Sequence, residues 1–103
     1  MSSIFGKKLK SLREEKRIPQ RQLAAVLEID TATYCKIEKG SRRAKREQVI
    51  KLATLLNFDK NELFRLWSAD KVYDIIADED DASQILNIVA ENIMAYKRKS
   101  TKV

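Results

Sequence analysis

The sequence predicts an all-α protein, and three observations lead there. Apolar residues recur every three or four positions in most segments, the period of one helical face. Glycine and proline, which interrupt helices, are scarce, with two Gly and one Pro in 103 residues. Runs of alternating β-branched residues, the pattern of half-buried strands, are few. The length suits one compact domain or a small domain with an appendage. A hydrophobic content of 44% is enough for a core without disulfide or metal staples.

The elements follow in order. In "SIFGKKLKSLREEKR", Ile4, Phe5, Leu9 and Leu12 fall at helical spacing and predict an amphipathic helix from about Ile4 to Lys16. Pro19 marks the start of the next, because proline is tolerated in a first turn. "QRQLAAVL" follows, with Leu23, Ala24 and Leu27 on one face. "EID" then breaks the pattern, and Asp30 can cap the helix "TATYCKIEK" by accepting from its free first-turn amides. Tyr34 and Ile37 form the inner side of that helix, and Gly40 ends it, being free to turn left-handed.

After the basic stretch "SRRAK", "REQVIKLATLLN" offers Val49, Ile50, Leu52, Ala53, Leu55 and Leu56 as a wide apolar face. Asn57 or Asp59 closes it and caps "NELFRLW". From Ala69 the composition turns acidic, and "ADKVYDIIADE" reads as a further short helix. "EDDASQILNIVAENIMAYKRK" reads as the last and longest, opening with acids and closing with bases as the helix dipole favours. Its Ala82, Leu86, Val89, Ile93 and Tyr96 step by 4, 3, 4 and 3, a heptad seam. The acidic run Asp78 to Asp81 lacks the spaced ligands of a cation loop and is read as a charge cluster at this helix's N-terminus.

Charge is unevenly placed. Residues 1–46 carry thirteen Lys and Arg against five Asp and Glu, a net of +8. Residues 47–96 carry four against ten, a net of −6, and the tail from Lys97 adds +4. A polyanion-binding function therefore belongs to the N-terminal half. The single cysteine, Cys35, cannot form an internal disulfide, which suits a reducing compartment. No apolar run is long enough for a membrane span. "MSSIFGKKLKSL" lacks the apolar core of a signal peptide. A cytoplasmic protein is expected.

Two short helices joined by a tight turn form a helix-turn-helix. Its first helix crosses the DNA backbone and its second lies in the major groove. The outward face of the second helix here offers Thr31, Ala32, Thr33, Lys36 and Lys39. From Ile4 to about Leu66 the chain resembles the Xre/Cro-like helix-turn-helix family. The resemblance is carried by "LKSLREEK", "QRQLAAVLEID", "YCKIEKGSRRAK", "VIKLATLLN" and "ELF", in that order. It implies a five-helix, lambda-repressor-like DNA-binding headpiece over residues 1–68. A C-terminal helical extension would span 69–98 and a basic tail 99–103.

Residue by residue, the resemblance implies that Thr31, Ala32, Thr33 and Lys36 face bases. Lysine can donate to guanine, and alanine or a threonine methyl can touch the thymine methyl. Gln20, Arg21, Lys39, Arg42, Arg43, Lys45 and Arg46 would hold phosphates and set affinity more than sequence choice. Glu38 is expected to be structural, paired with a base of the first helix. Three departures stand out. Glu28 occupies a turn position where the family often has glycine, at a backbone cost if φ is positive. Pro19 replaces the usual small polar cap before Gln20. Tyr34 is larger than the usual aliphatic residue, and its hydroxyl needs a partner.

The seam Leu86, Val89, Ile93 and Tyr96 reads as a dimerisation element, since paired headpieces read two half-sites. The expected function is a sequence-specific transcriptional regulator acting as a homodimer on double-stranded DNA. It would be of the autoregulated or controller type that accompanies restriction–modification genes. Two alternatives remain: an antitoxin whose acidic C-terminal helices hold a toxin, or a protein-interaction module that does not read DNA. No catalytic residue, cofactor or metal ligand is expected. The chain has no histidine, and no Gly-rich phosphate loop is present. Its lone cysteine, on the groove-facing helix, is read as inert more readily than as a redox switch.

Overall fold

The computed structural model describes residues 3–100, with side chains to residue 98. Among these the architecture is all-helical, with no strand. The helices are α1 (Ile4–Glu15), α2 (Gln20–Val26), α3 (Thr31–Lys39), α4 (Arg46–Leu55), α5 (Lys60–Ile76) and α6 (Ala82–Ser100). The chain divides into two compact units, one ending at Val72 and the other beginning at Tyr73.

In the first unit α3 packs against both α1 and α2. The core draws Phe5, Leu9 and Leu12 from α1, Leu23 and Ala24 from α2, and Tyr34 and Ile37 from α3. Val49, Leu52 and Ala53 of α4 and Leu63 of α5 complete it, with Leu27, Ala44 and Leu56 from the connections. Each fully buried leucine is worth roughly 1.5–3 kcal/mol relative to exposure. Two residues expected on apolar faces lie outside this core. Ile4 is 44% and Ile50 is 40% exposed. Each sits at the margin of its helix's apolar stripe.

The first four helices stop by one device. A residue with positive φ follows each: Arg17 (57°), Glu28 (58°), Gly40 (87°) and Asn57 (52°). The next amide then reaches back to the last turn. Ile18 N–H donates to Arg13 O at 3.0 Å, Ile29 to Ala24 at 3.0 Å, Ser41 to Lys36 at 3.0 Å and Phe58 to Ala53 at 2.9 Å. This satisfies carbonyls that would otherwise be orphaned. At three of the four ends an apolar residue, Ile18, Ile29 or Phe58, then folds onto the core. Only Gly40 adopts this conformation without steric cost.

Helix starts are capped by different means. Ser3 Oγ accepts from Gly6 N at 2.6 Å, and Asp30 Oδ1 from Thr33 N at 2.6 Å. At α4 the Gln48 carbonyl reaches back to the Lys45 amide at 2.8 Å. Lysine offers no acceptor in return, so this cap is one-sided. Asn57 closes α4, and Asp59 opens α5 by accepting from Asn61 N at 3.3 Å. Pro19 precedes α2 in an extended conformation and makes no side-chain cap.

The two helices expected at "NELFRLW" and "ADKVYDIIADE" are one, because α5 runs unbroken from Lys60 to Ile76. Asp70 lies within this helix, and its carboxylate is engaged elsewhere. It accepts from the amides of Ile4 (2.8 Å) and Phe5 (3.0 Å), capping α1 from 65 residues away. With no proline or glycine nearby, nothing interrupts α5. The acids at 78–81 form the turn before α6 and are not part of it.

The second unit comprises the end of α5, that turn and α6. None of its described side chains is fully buried. Among the described residues, no helix is long and apolar enough to cross a membrane.

Candidate functional site

Helix α3 has one face fixed and one face open. Its inner face carries Tyr34 and Ile37 into the core and buries the carboxylate of Glu38. Arg13 of α1 grips that carboxylate with both ends of its fork, Nε to Oε2 at 2.7 Å and Nη2 to Oε1 at 3.2 Å. Gln20 of α2 donates to Oε1 at 3.1 Å, and Arg13 Nη1 also reaches Ile18 O at 3.1 Å. One buried carboxylate thus joins three helices. A second close approach fixes α1 on α3. A methyl group at Gly6 would collide with the backbone carbonyl of Glu38.

The electrostatics follow from this geometry. Burial opposes charge on Glu38, but the hydrogen bonds it accepts outweigh burial and hold its pKa below the ordinary carboxylate value. The bond to Glu38 in turn raises the pKa of Arg13. Burial, reinforced by the neighbouring carboxylate, pushes the Tyr34 hydroxyl well above its ordinary range. That hydroxyl lies near enough to Glu38 to feel its charge but makes no hydrogen bond of ordinary geometry. The large aromatic ring fits the core, and its polar tip is the one poorly served buried group among the described residues.

The open face carries Thr31, Ala32, Lys36 and Lys39, all exposed, with Thr33 half-buried beside them. At nine residues α3 is about 14 Å long, a size that a major groove admits. Asp30 caps its start, and the Thr33 bond lowers the pKa of that carboxyl. Arg21 is exposed on α2. Gln20 is half-buried, its amide nitrogen committed to Glu38. Cys35 is half-buried on α3.

The basic stretch after α3 is tied down by aromatic residues. The Arg43 guanidinium lies 4.0 Å from the Trp67 ring centroid and donates to Trp67 O at 3.0 Å. Trp67 Nε1 donates to Ala44 O at 2.8 Å. Arg46 sits 5.0 Å from the Phe64 ring and 5.2 Å from that of Trp67, and these two rings meet edge to face at 5.8 Å. Arg42 and Lys45 are exposed on the same stretch. Trp67, Phe64 and Asp70 had no assigned role in the sequence. Stacking of Arg on an aromatic face is a common pairing, but no local pattern says which ring meets which arginine.

On α6 the proposed seam is open to solvent, from 41% at Leu86 through Val89 and Ile93 to 71% at Tyr96. The structure thus gathers Thr31, Ala32, Lys36 and Lys39 on one helix face. Arg42, Arg43, Lys45 and Arg46 follow along the next loop and helix start, and the seam residues belong to the second unit.

The family model described as a helix-turn-helix domain matches residues 4–66. The uncharacterized HTH-type transcriptional regulator YqaE of Bacillus subtilis is 29% identical over 84 residues, covering 82% of this chain and 68% of its own. The control protein C.MunI of a Mycoplasma species is 38% identical over 61 residues, covering 58% of this chain and 82% of its own. No solved structure matches at a significant level.

Proposed function

The chain belongs to the helix-turn-helix domain family, and from that premise we propose that it is a sequence-specific DNA-binding transcriptional regulator. It acts as a homodimer on an inverted-repeat operator, in the cytoplasm. Residues 1–68 serve as the headpiece, 69–98 as the pairing element and 99–103 as a basic tail. One observation carries the reading. The outer face of α3 is small, polar and basic, while its inner face is locked by the Arg13–Glu38–Gln20 network. A recognition element needs this combination, because base edges reward side chains held in place.

In this reading Thr31, Ala32, Thr33 and Lys36 meet bases. Arg21, Lys39, Arg42 and Lys45 meet phosphates as mobile surface cations. Arg43 and Arg46 approach the backbone from a stacked, pre-ordered position, and Gln20 contributes while holding Glu38. The likeness to a control protein favours a controller-type or autoregulated circuit, in which protein concentration is the signal.

Selection from random duplex DNA at near-physiological salt tests the function. The expected result is an enriched inverted repeat with half-sites about one helical turn apart. Lys36→Ala relaxes one position of that repeat, whereas Arg42→Ala weakens all sequences alike and flattens the salt dependence. Absence of any enriched sequence would overturn the reading.

A further inference from the structure

The second unit leaves a long apolar stripe uncovered. Leu86, Val89, Ile93 and Tyr96 are 41%, 45%, 50% and 71% exposed, on a helix of 19 residues. Ile88 (60%) and Met94 (62%) are exposed as well, off this stripe on other faces of the helix. The charges flanking it are segregated. Asp78, Glu79, Asp80 and Asp81 precede the helix, and Lys97 and Arg98 lie near its far end.

We propose that α6 pairs antiparallel with α6 of a second copy of this chain. The proposal rests on the homodimer reading above and adds orientation and register to it. Charge decides the orientation. A parallel pair sets acids beside acids at one end and bases beside bases at the other. An antiparallel pair sets each acidic end beside a basic one.

The seam restricts the register. In an antiparallel pair the two alternating positions of the heptad face each other, because the 3 and 4 spacings run in opposite order along the second copy. Placing Leu86 against the second copy's Val89 satisfies this. The same alignment sets Ala82 against Ile93, a small residue against a large one, and carries the acidic turn before each helix toward the basic end of the other. In this register the two helices overlap over about 12 residues, Ala82 to Ile93, apolar along the centre, with the acidic turn of each copy near the basic end of the other.

Cross-linking of the full chain in a Cys35→Ser background tests the arrangement, with sedimentation equilibrium recording the oligomeric state. Both test positions lie in the second unit, outside the buried core, so the headpiece folds in either variant. An Ala82→Cys chain mixed with an Ile93→Cys chain forms the disulfide dimer on mild oxidation, and neither variant does so alone. Self-cross-linking of Ile93→Cys would overturn the antiparallel orientation and leave the homodimer standing. A dimer in which no mixture cross-links would overturn the register alone. A chain that sediments as a monomer at micromolar concentration would overturn both this proposal and the homodimer reading.

Discussion

The two units use apolar residues in opposite ways. In the first, apolar side chains of five helices close on one another, and Leu9, Leu23, Tyr34, Val49, Leu52, Leu56 and Leu63 are fully buried. In the second, residues of equal hydrophobicity remain open, with Ile75 at 72% and Tyr96 at 71% exposure. Single exposed apolar residues are ordinary on a protein surface, but a contiguous stripe is not. The first unit is therefore complete as a folded body. The second offers a surface whose stabilisation comes from whatever covers it.

The largest expected contrast concerns the buried ion pair. Arg13→Ala leaves the Glu38 carboxylate in the core without its main partner and costs about 3–5 kcal/mol, measured by urea denaturation of the full chain. The same pair gives acid sensitivity with a definite sign. Because folding lowers the Glu38 pKa below its ordinary 4.5, its contribution is complete above that value. It is lost as pH falls through the lower folded value, so the denaturation midpoint declines below about pH 4.5. A midpoint flat from pH 6 to pH 3 would show that Glu38 is not the coupled group.

Next in size is Gly6→Ala, which forces α1 away from the Glu38 carbonyl and costs about 1–3 kcal/mol by overpacking. Thermal unfolding reads it directly. Smaller, and of opposite sign, is Glu28→Gly. It removes the steric cost of a left-handed side-chain residue but adds backbone entropy to the unfolded chain. The net is a stabilisation of about 1 kcal/mol or less. Smallest is Met94→Lys in the second unit, which shifts headpiece unfolding by no more than about 0.5 kcal/mol. A large loss there would mean that the two units are not energetically separate.

What could be read in advance follows the range of the interactions. Helices α1 to α4 were legible because their signals are local. Asp30 caps its helix through an amide three residues on, Gly40 ends one beside it, and Glu28 signalled its left-handed turn by standing where glycine is usual. The pairing of Glu38 with a base on the first helix was legible in kind, and only the structure identifies Arg13. The continuity of α5 was not legible. Nothing local marks Asp70 as a cap, and its role at the start of α1 depends on a fold that brings residues 4 and 70 together. Trp67 is similar, since its partners Arg43 and Ala44 lie more than 20 positions earlier. On the open face of α3, the exposure of Lys36 was legible from helical period. A base sequence was not, because that information resides in the partner.

The contact between Arg43 and Trp67 has a spectroscopic consequence. Trp67 is the sole tryptophan of the chain, so its emission is unmixed with that of any other indole. Its ring holds a guanidinium at 4.0 Å, and its nitrogen is bonded to the loop that follows α3. The indole therefore responds to whether that cation stays stacked or turns toward a polyanion. The protein carries its own optical probe, placed by the fold at the edge of its basic surface and readable without any label.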